Sequence, residues 1–209
     1  MLEGKGEAKA WWQEQAPTRL DRQLPIVSLA AVRHFAKIAE IDAIPLVNAL
    51  AVNPDLWNEN TLRTTHPQSP HTQTDDIWVM FNAIPDDPSE VVDDCEVIPY
   101  RAWNVLPIRD VVLDIMHRVG GTRLGRVIIS RLPPGATISE HVDHGAPATY
   151  YKRYHVALQS LPGALNNSGD ETMVYRPGEV WWFDNAAPHS VINNSADDRI
   201  VIVMDVRPC

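Results

Sequence analysis

The spacing of apolar residues divides the chain into two parts with different hydrophobic patterns. In the first part, apolar residues recur every three or four positions, which is the period of an amphipathic helix. This spacing predicts a helix over 28–40, a shorter helical segment over 44–56 and a third helix over 107–119, where Pro107 suits the first turn. We therefore expect residues 1–121 to be mainly helices and loops.

Short apolar runs separated by turns follow from residue 122 onwards. Pro133-Pro134-Gly135 and Pro177-Gly178 are strong turn sequences. The runs lie at 127–129, 138–142, 154–158, 172–175, 180–183, 189–192 and 200–206, and an earlier one lies at 77–81. Strands at this spacing are typical of a β-sandwich or barrel, and two facing sheets of a jelly roll fit them. We expect one α+β, mainly β domain over 1–209, with its β core in 122–209.

Two polar segments, 59–76 and 84–98, interrupt the first part. Both contain prolines and few apolar residues, so we expect surface loops. A loop longer than about 12–15 residues in a compact domain is usually functional or disordered. Two histidines of the first loop, His66 and His71, are candidates for a substrate lid, although solvated loop histidines are more common.

Charge and cysteine content narrow the partners and the compartment. The formal net charge is −9, and no basic run exceeds Lys152-Arg153, which argues against nucleic acid binding. The two cysteines, Cys95 and Cys209, form no metal-type pair and are consistent with a reducing compartment. The sequence contains neither a signal-peptide pattern nor a long apolar span. We expect a soluble cytoplasmic protein with no membrane partner. The sequence does not predict its oligomeric state.

A split metal-ligand pattern carries the clearest chemistry. His141 and Asp143 are two positions apart, so on an extended strand their side chains share a face. His189 follows 46 residues after Asp143 and precedes another predicted strand. Two imidazoles and one carboxylate can hold a ferrous ion on one face and leave the other face open. His144 competes as a ligand, but it would point to the opposite face, which favours a substrate or outer role.

Arg199 lies ten residues beyond His189, at the start of the last predicted strand. Whether the two strands pair or face each other across a sandwich, Arg199 returns towards His189. A guanidinium can bind the far carboxylate of 2-oxoglutarate with two parallel hydrogen bonds. The alternatives are a non-catalytic cupin-like module binding Zn²⁺ or Ni²⁺, and a structural β-sandwich with incidental histidines. Arg199 argues against the metal-binding module, which has no use for a carboxylate-binding fork.

Residues 126–207 resemble the aspartyl/asparaginyl β-hydroxylase-like family of Fe(II)/2-oxoglutarate-dependent dioxygenases. The matching stretches are 130–135, 141–143, 153–158, 178–184, His189 and 199–205. The resemblance implies a double-stranded β-helix, with His141, Asp143 and His189 as the catalytic iron ligands. It also implies that Arg199 binds the C5 carboxylate of 2-oxoglutarate, and that Ser130, Arg153 and His155 make further co-substrate contacts.

The resemblance further implies hydroxylation of an unactivated C–H bond with Fe(II), 2-oxoglutarate and O₂, releasing succinate and CO₂. The expected substrate is an amino acid, a peptide or a related small polar metabolite. The animal members named for aspartate lack a carboxylate where this chain has Asp143, so the chain looks closer to bacterial members such as the free-proline hydroxylases. Arg63, Arg101 and Arg176 are candidates for binding a substrate carboxylate. Desaturation and ring closure use the same kind of site.

Overall fold

The computed structural model describes residues 34–85 and 95–209 of the chain. Contacts divide the chain into two compact units, Met1–Ala31 and Val32–Cys209, and the description concerns the second. That residues 1–209 form a single domain stays a prediction. Within the described residues, no helix is long and apolar enough to span a membrane.

The larger sheet contains seven strands. They are β1 (Phe35–Glu40), β2 (Asp75–Phe81), β3 (Ile98–Pro99), β4 (Gly121–Leu132), β6 (Lys152–Gln159), β9 (Glu179–Phe183) and β11 (Arg199–Pro208). Their order across the sheet is β1-β9-β6-β11-β4-β2-β3, and neighbouring strands are antiparallel. Strands β1 and β2 come from the first part of the sequence, so that part contributes to the β core as well as to the helices.

The smaller sheet contains four strands and faces the larger one. They are β5 (Thr137–His141), β7 (Ala164–Ser168), β8 (Glu171–Met173) and β10 (His189–Asn193), in the order β5-β10-β7-β8. Side chains from both sheets line one cavity between them, such as Ser130 on β4 and Asn166 on β7. The mainly β, double-stranded β-helix prediction is confirmed.

Helices α1 (Ile44–Val52), α3 (Arg101–Val105) and α4 (Arg109–Arg118) pack against the outer face of the larger sheet, together with a 3₁₀ turn over Pro54–Leu56. Two further short helices are α2 (Leu62–Thr65) and α5 (Gly145–Tyr150). Because side chains alternate along a strand, Ile202 and Met204 on β11 join the core that contains Leu46 and Ile115 of the helices. Full burial of each such side chain contributes about 1.5–3 kcal/mol to folding. Intervening residues of β11 face the other sheet, where the cavity lies.

The helix predicted over 28–40 is wrong where the structure describes it. Residues 28–33 lie outside the described part, and Phe35–Glu40 form β1, which pairs with β9. Phe35 packs on Phe183 with ring centroids 5.9 Å apart, and Lys37 donates a hydrogen bond to Glu179. Strand pairing at an open sheet edge outweighed a weak helical spacing, because local propensity yields to tertiary contacts.

Most of the other elements follow the predictions, whereas β3, α3 and α5 were not predicted. Helices α1 and α4 occupy the predicted segments, and every predicted apolar run of the second part contributes to a strand. Strand β7 was not predicted, since ALNNS has little apolar character. The loop predicted over 59–76 contains the single helical turn α2, and most of the loop predicted over 84–98 lies outside the described residues.

Candidate active site

His141 and His189 face each other at one end of the smaller sheet. Strands β5 and β10 pair in a register that sets the two residues opposite one another, and their ring centroids are 4.1 Å apart. The Nδ1 atom of His141 lies 2.7 Å from the Ser139 carbonyl oxygen, and that of His189 lies 2.9 Å from the Ala187 carbonyl oxygen. A carbonyl can only accept, so each Nδ1 donates and each Nε2 keeps a free lone pair.

Asp143 supplies the third donor atom just beyond the end of β5. Its Oδ1 lies 3.6 Å from His141 Nε2 and 3.9 Å from His189 Nε2. Donor atoms that are each about 2.1 Å from one ion lie ~3–3.5 Å apart, so a small inward movement completes a metal site. Among the described residues, these three form the cluster of His, Cys, Asp or Glu side chains suited to a metal ion.

The second oxygen of Asp143 is occupied by neighbouring donors. Asn185 Nδ2 donates to Oδ2 over 3.1 Å, and the Arg153 guanidinium donates to the same oxygen. This arrangement leaves Oδ1 for the ion. Burial raises the pKa of Asp143, but Arg153 and the other neighbours outweigh it and hold the pKa below its ordinary value. Burial lowers the pKa of His189. Near neutral pH the site therefore offers a carboxylate and a neutral imidazole, which are the metal-binding forms.

Asn185 was not predicted, because it carries no motif and contacts Asp143 only through the fold. We expect Asn185→Ala to weaken metal binding by about 10- to 100-fold, since outer partners of metal ligands have effects of this size. Titration of the metal-free protein with Zn²⁺ or Fe²⁺ under anaerobic conditions measures the change. Asn194→Ala, at an exposed turn position, is the control. Equal affinities for the two variants would contradict the role of Asn185.

Arg153 lies between Asp143, a candidate metal ligand, and Asp205. Its Nε and Nη2 donate to the two oxygens of buried Asp205 over 2.8 and 3.0 Å, and Nη1 donates to Asp143. Pairing with the two carboxylates outweighs burial and raises the pKa of Arg153. Arg153 therefore connects Asp143 to Asp205. Its predicted contact with 2-oxoglutarate stays a prediction.

Arg199 is a buried cation that pairs with no acidic side chain among residues 34–85 and 95–209. It is 2% exposed, its Nη2 donates to Asn166 Oδ1, and its Nε has no hydrogen-bond partner in that part of the chain. Burial lowers the pKa of Arg199 to about 10, so the group stays charged at neutral pH. An unpaired buried charge is costly unless a ligand compensates it. The Ser130 hydroxyl is also buried without a partner, and both residues line the cavity that His141 and His189 line. These donors fit a carboxylate such as that of 2-oxoglutarate.

His155 lines the same cavity from β6. Its ring stacks on Phe183 with centroids 4.9 Å apart, and its Nδ1 lies 3.3 Å from the Tyr175 hydroxyl. Burial lowers the pKa of His155 well below its ordinary value, so the imidazole is neutral. Tyr175 belongs to a predicted strand, and the sequence indicated no role for it.

A second cavity of about 790 Å³ borders Asp143, and many of its lining residues come from the segment 62–84. Arg63 and His71 line both cavities, and the His71 ring lies 5.3 Å from the His141 ring, edge to face. The other lining residues include Trp78, Phe81, Arg126, His144 and Arg153. The 59–76 loop and β2 therefore form part of the wall of this cavity.

The three arginines that are candidates for binding a substrate carboxylate differ in whether they line a cavity. Arg63 is at the cavity, where it donates to buried Asp76. Arg101 instead pairs with Asp55 and Glu59. Arg176 is exposed, and neither it nor Arg101 lines either cavity. His144 lines the second cavity and is absent from the metal cluster, as its expected outer position requires.

A double-stranded β-helix that brings two histidines and one carboxylate together beside a buried arginine defines a metal-dependent oxygenase fold and site. The family model for aspartyl/asparaginyl β-hydroxylase matches residues 90–208, more than half of the chain. The chain belongs to this family, and the predicted family is confirmed. It is accordingly an Fe(II)- and 2-oxoglutarate-dependent hydroxylase that acts on a peptide or small molecule, as the enzyme and cofactor predictions state.

Solved structures share the fold at low sequence identity. A 2OG-Fe(II) oxygenase family oxidoreductase from Burkholderia pseudomallei has a TM-score of 0.57 at 16% identity, covering 86% of this chain and 87% of its own. A prolyl hydroxylase from Trichoplax adhaerens, bound to a hypoxia inducible factor peptide, has a TM-score of 0.55 at 12% identity, covering 86% of each chain. A Pseudomonas putida prolyl-4-hydroxylase has a TM-score of 0.51 at 14% identity, covering 87% and 95%. No curated protein matches the sequence.

Proposed function

We propose that His141, Asp143 and His189 bind the catalytic Fe(II), and that Arg199 and Ser130 bind 2-oxoglutarate. One observation carries this assignment. Asp143 Oδ1 lies within 4 Å of the two histidine Nε2 atoms, and both histidines line a cavity that also contains the buried guanidinium of Arg199, whose Nε has no hydrogen-bond partner among the described residues. A structural β-sandwich has no reason to bury such a charge. A simple metal-binding module needs the three ligands but not Arg199.

The protein's own groups have distinct tasks in this assignment. Bound Fe(II) and 2-oxoglutarate supply, with O₂, the oxidation that converts a C–H bond to an alcohol and releases succinate and CO₂. Asp143 contributes a negative charge to the ion, and the two imidazoles contribute neutral lone pairs. Arg199 neutralises and orients the far carboxylate of the co-substrate. The apolar lining from Val201, Val203 and Phe183 limits water beside these charged groups.

The second cavity is the proposed substrate site. It borders Asp143, so a substrate within it would lie beside the proposed metal ligands. It combines aromatic side chains with arginines and histidines, a lining that suits an amino acid, a peptide or a related polar metabolite. The peptide complex of the Trichoplax relative supports a peptide as one candidate. His71 and His144 are the proposed substrate contacts beside the ion.

Substrate-stimulated succinate formation tests the proposal. The protein is incubated with Fe(II), 2-oxoglutarate and O₂ over a panel of free amino acids, their amides and short peptides. We expect at least one class to stimulate succinate release and to gain the mass of one oxygen atom. Anaerobic titration with 2-oxoglutarate should produce a charge-transfer absorption band that requires Fe(II). A protein that binds Zn²⁺ but neither forms this band nor releases succinate would support the metal-binding module instead.

A further inference from the structure

Tyr175 is a buried phenol with one hydrogen-bond partner in the described structure. It is 1% exposed and follows β8, and its ring stacks on Trp181 with centroids 5.7 Å apart. Phe35 packs against its edge at 6.2 Å. These contacts fix the ring, so the hydroxyl has a defined position 3.3 Å from His155 Nδ1. A buried Tyr hydroxyl usually finds a partner, and here that partner is the imidazole.

The direction of this hydrogen bond follows from the partners that the buried hydroxyl has. Burial raises the pKa of Tyr175 and lowers the pKa of His155, so both groups are neutral at neutral pH. Among the described residues, His155 Nδ1 is the acceptor within reach of the Tyr175 hydroxyl. A buried O–H group without an acceptor costs free energy, so the hydroxyl donates to Nδ1.

Because Nδ1 accepts a hydrogen bond, the protonation of the other ring nitrogen, Nε2, is determined. A neutral imidazole has one donor and one acceptor nitrogen, so Nε2 carries the proton. The hydrogen bond that His155 makes with a described residue is the one at Nδ1, which leaves Nε2 for a ligand. His155 lines the cavity together with Arg199 and Ser130. In addition to Arg199 and Ser130, the cavity thus offers the Nε2–H group of His155 as a hydrogen-bond donor to an anion. The other tautomer would offer a lone pair at Nε2 instead.

We propose that Tyr175 is a positioning residue that holds His155 in the Nε2–H tautomer, so that the imidazole donates to a carboxylate of the co-substrate. This inference rests on the proposed function, because it takes 2-oxoglutarate as the occupant of the cavity. A carboxylate can only accept hydrogen bonds, so the wrong tautomer would place a lone pair against an anion. Tyr175 acts through His155 and contributes no contact of its own to the reacting atoms.

Nitrogen NMR of the histidines tests the tautomer directly. In the Zn²⁺-loaded protein, we expect His155 to show one neutral tautomer with the proton on Nε2. Tyr175→Phe should give a mixture of tautomers and weaken 2-oxoglutarate binding about tenfold, the size of one lost hydrogen bond. Tyr154→Phe is the matched control, because Tyr154 is the buried neighbour of His155 and packs in the helix-side core. The control should keep the tautomer and the wild-type affinity.

A double substitution separates positioning from packing. His155→Gln supplies an amide nitrogen near the position of Nε2 and has no tautomers. In that background, Tyr175→Phe should cause no further loss of 2-oxoglutarate affinity. An equal tenfold loss in both backgrounds would show that Tyr175 only packs, and would overturn the inference.

The wild-type protein alone gives an independent outcome, which remains measurable if Tyr175→Phe does not fold. A proton on Nδ1 of His155, with normal 2-oxoglutarate binding, would overturn the role of Tyr175 and leave the proposed function intact. A wild type that binds no 2-oxoglutarate would contradict the proposed function itself. The two failures are therefore distinguishable.

Discussion

Replacing Asp143 by alanine is expected to abolish hydroxylation. The substitution removes the negative donor of the metal site and leaves Arg153 and Asn185 facing a cavity instead of a carboxylate. Changes in the outer shell of a metal site already cost about 10- to 100-fold, so loss of the ligand itself should reduce succinate formation by more than ~100-fold. Substrate-dependent succinate release, measured at saturating Fe(II) and 2-oxoglutarate, quantifies the loss.

The control for this experiment is an aspartate that lies outside the site. Asp110 is in the first turn of α4 and is exposed, so Asp110→Ala should keep wild-type activity. Asp143→Ala should also lose iron affinity in anaerobic titration while its far-ultraviolet circular dichroism stays unchanged. Iron-dependent succinate production at the wild-type rate in Asp143→Ala would remove this residue from the metal site.

The metal cluster could be predicted from the sequence because its information is local. His141 and Asp143 are two residues apart, and each histidine lies at an end of a recognisable apolar strand. Arg199 is the first residue of the last strand. The sequence left open whether this strand pairs with the strand of His189 or faces it across the sandwich. Strands β10 and β11 belong to different sheets, so Arg199 reaches the site across the sandwich and not along a hairpin.

Residues that act through distant contacts could not be predicted in this way. Asn185 contacts Asp143 from 42 positions away, and Tyr175 contacts His155 from 20 positions away. Neither residue belongs to a motif, and their effect depends on the pairing of strands. The same limit explains β1, whose spacing favours a helix until the edge of β9 offers hydrogen bonds and aromatic contacts.

Arg153 has contacts that the sequence did not reveal. The co-substrate contact implied by resemblance stays a prediction, and in the structure the guanidinium donates to Asp205 and Asp143. A cation that fixes one oxygen of the metal ligand orients the other oxygen towards the ion. The charges of Asp143, Asp205 and Arg153 then form a connected set, so effects of substituting them should be strongly non-additive.

Substitution of Arg199 is expected to separate co-substrate binding from stability. Arg199→Lys keeps the charge but loses the two parallel hydrogen bonds of the guanidinium. A hydrogen bond to a charged group contributes about 1.5–3 kcal/mol, so the KM for 2-oxoglutarate should rise roughly 10- to 100-fold. The metal affinity should stay unchanged, because Arg199 is not among the three clustered ligands. An unchanged KM would remove Arg199 from the co-substrate site.

Arg199→Met should abolish 2-oxoglutarate binding but stabilise the folded protein when no co-substrate is present. Among the described residues, the buried wild-type cation has Asn166 as its hydrogen-bond partner, and its Nε has none. An apolar side chain of similar length removes the desolvation cost of that charge, and even replacements of buried ion pairs by apolar side chains are often neutral or stabilise proteins by about 1–4 kcal/mol. Thermal unfolding should therefore occur at a higher temperature in Arg199→Met, while 2-oxoglutarate, which stabilises the wild type by binding its folded state, should no longer raise it. Arg207→Met, at an exposed position of the same strand, should change neither property. A less stable Arg199→Met protein that still responds to 2-oxoglutarate would show that the cation serves the fold and not the ligand.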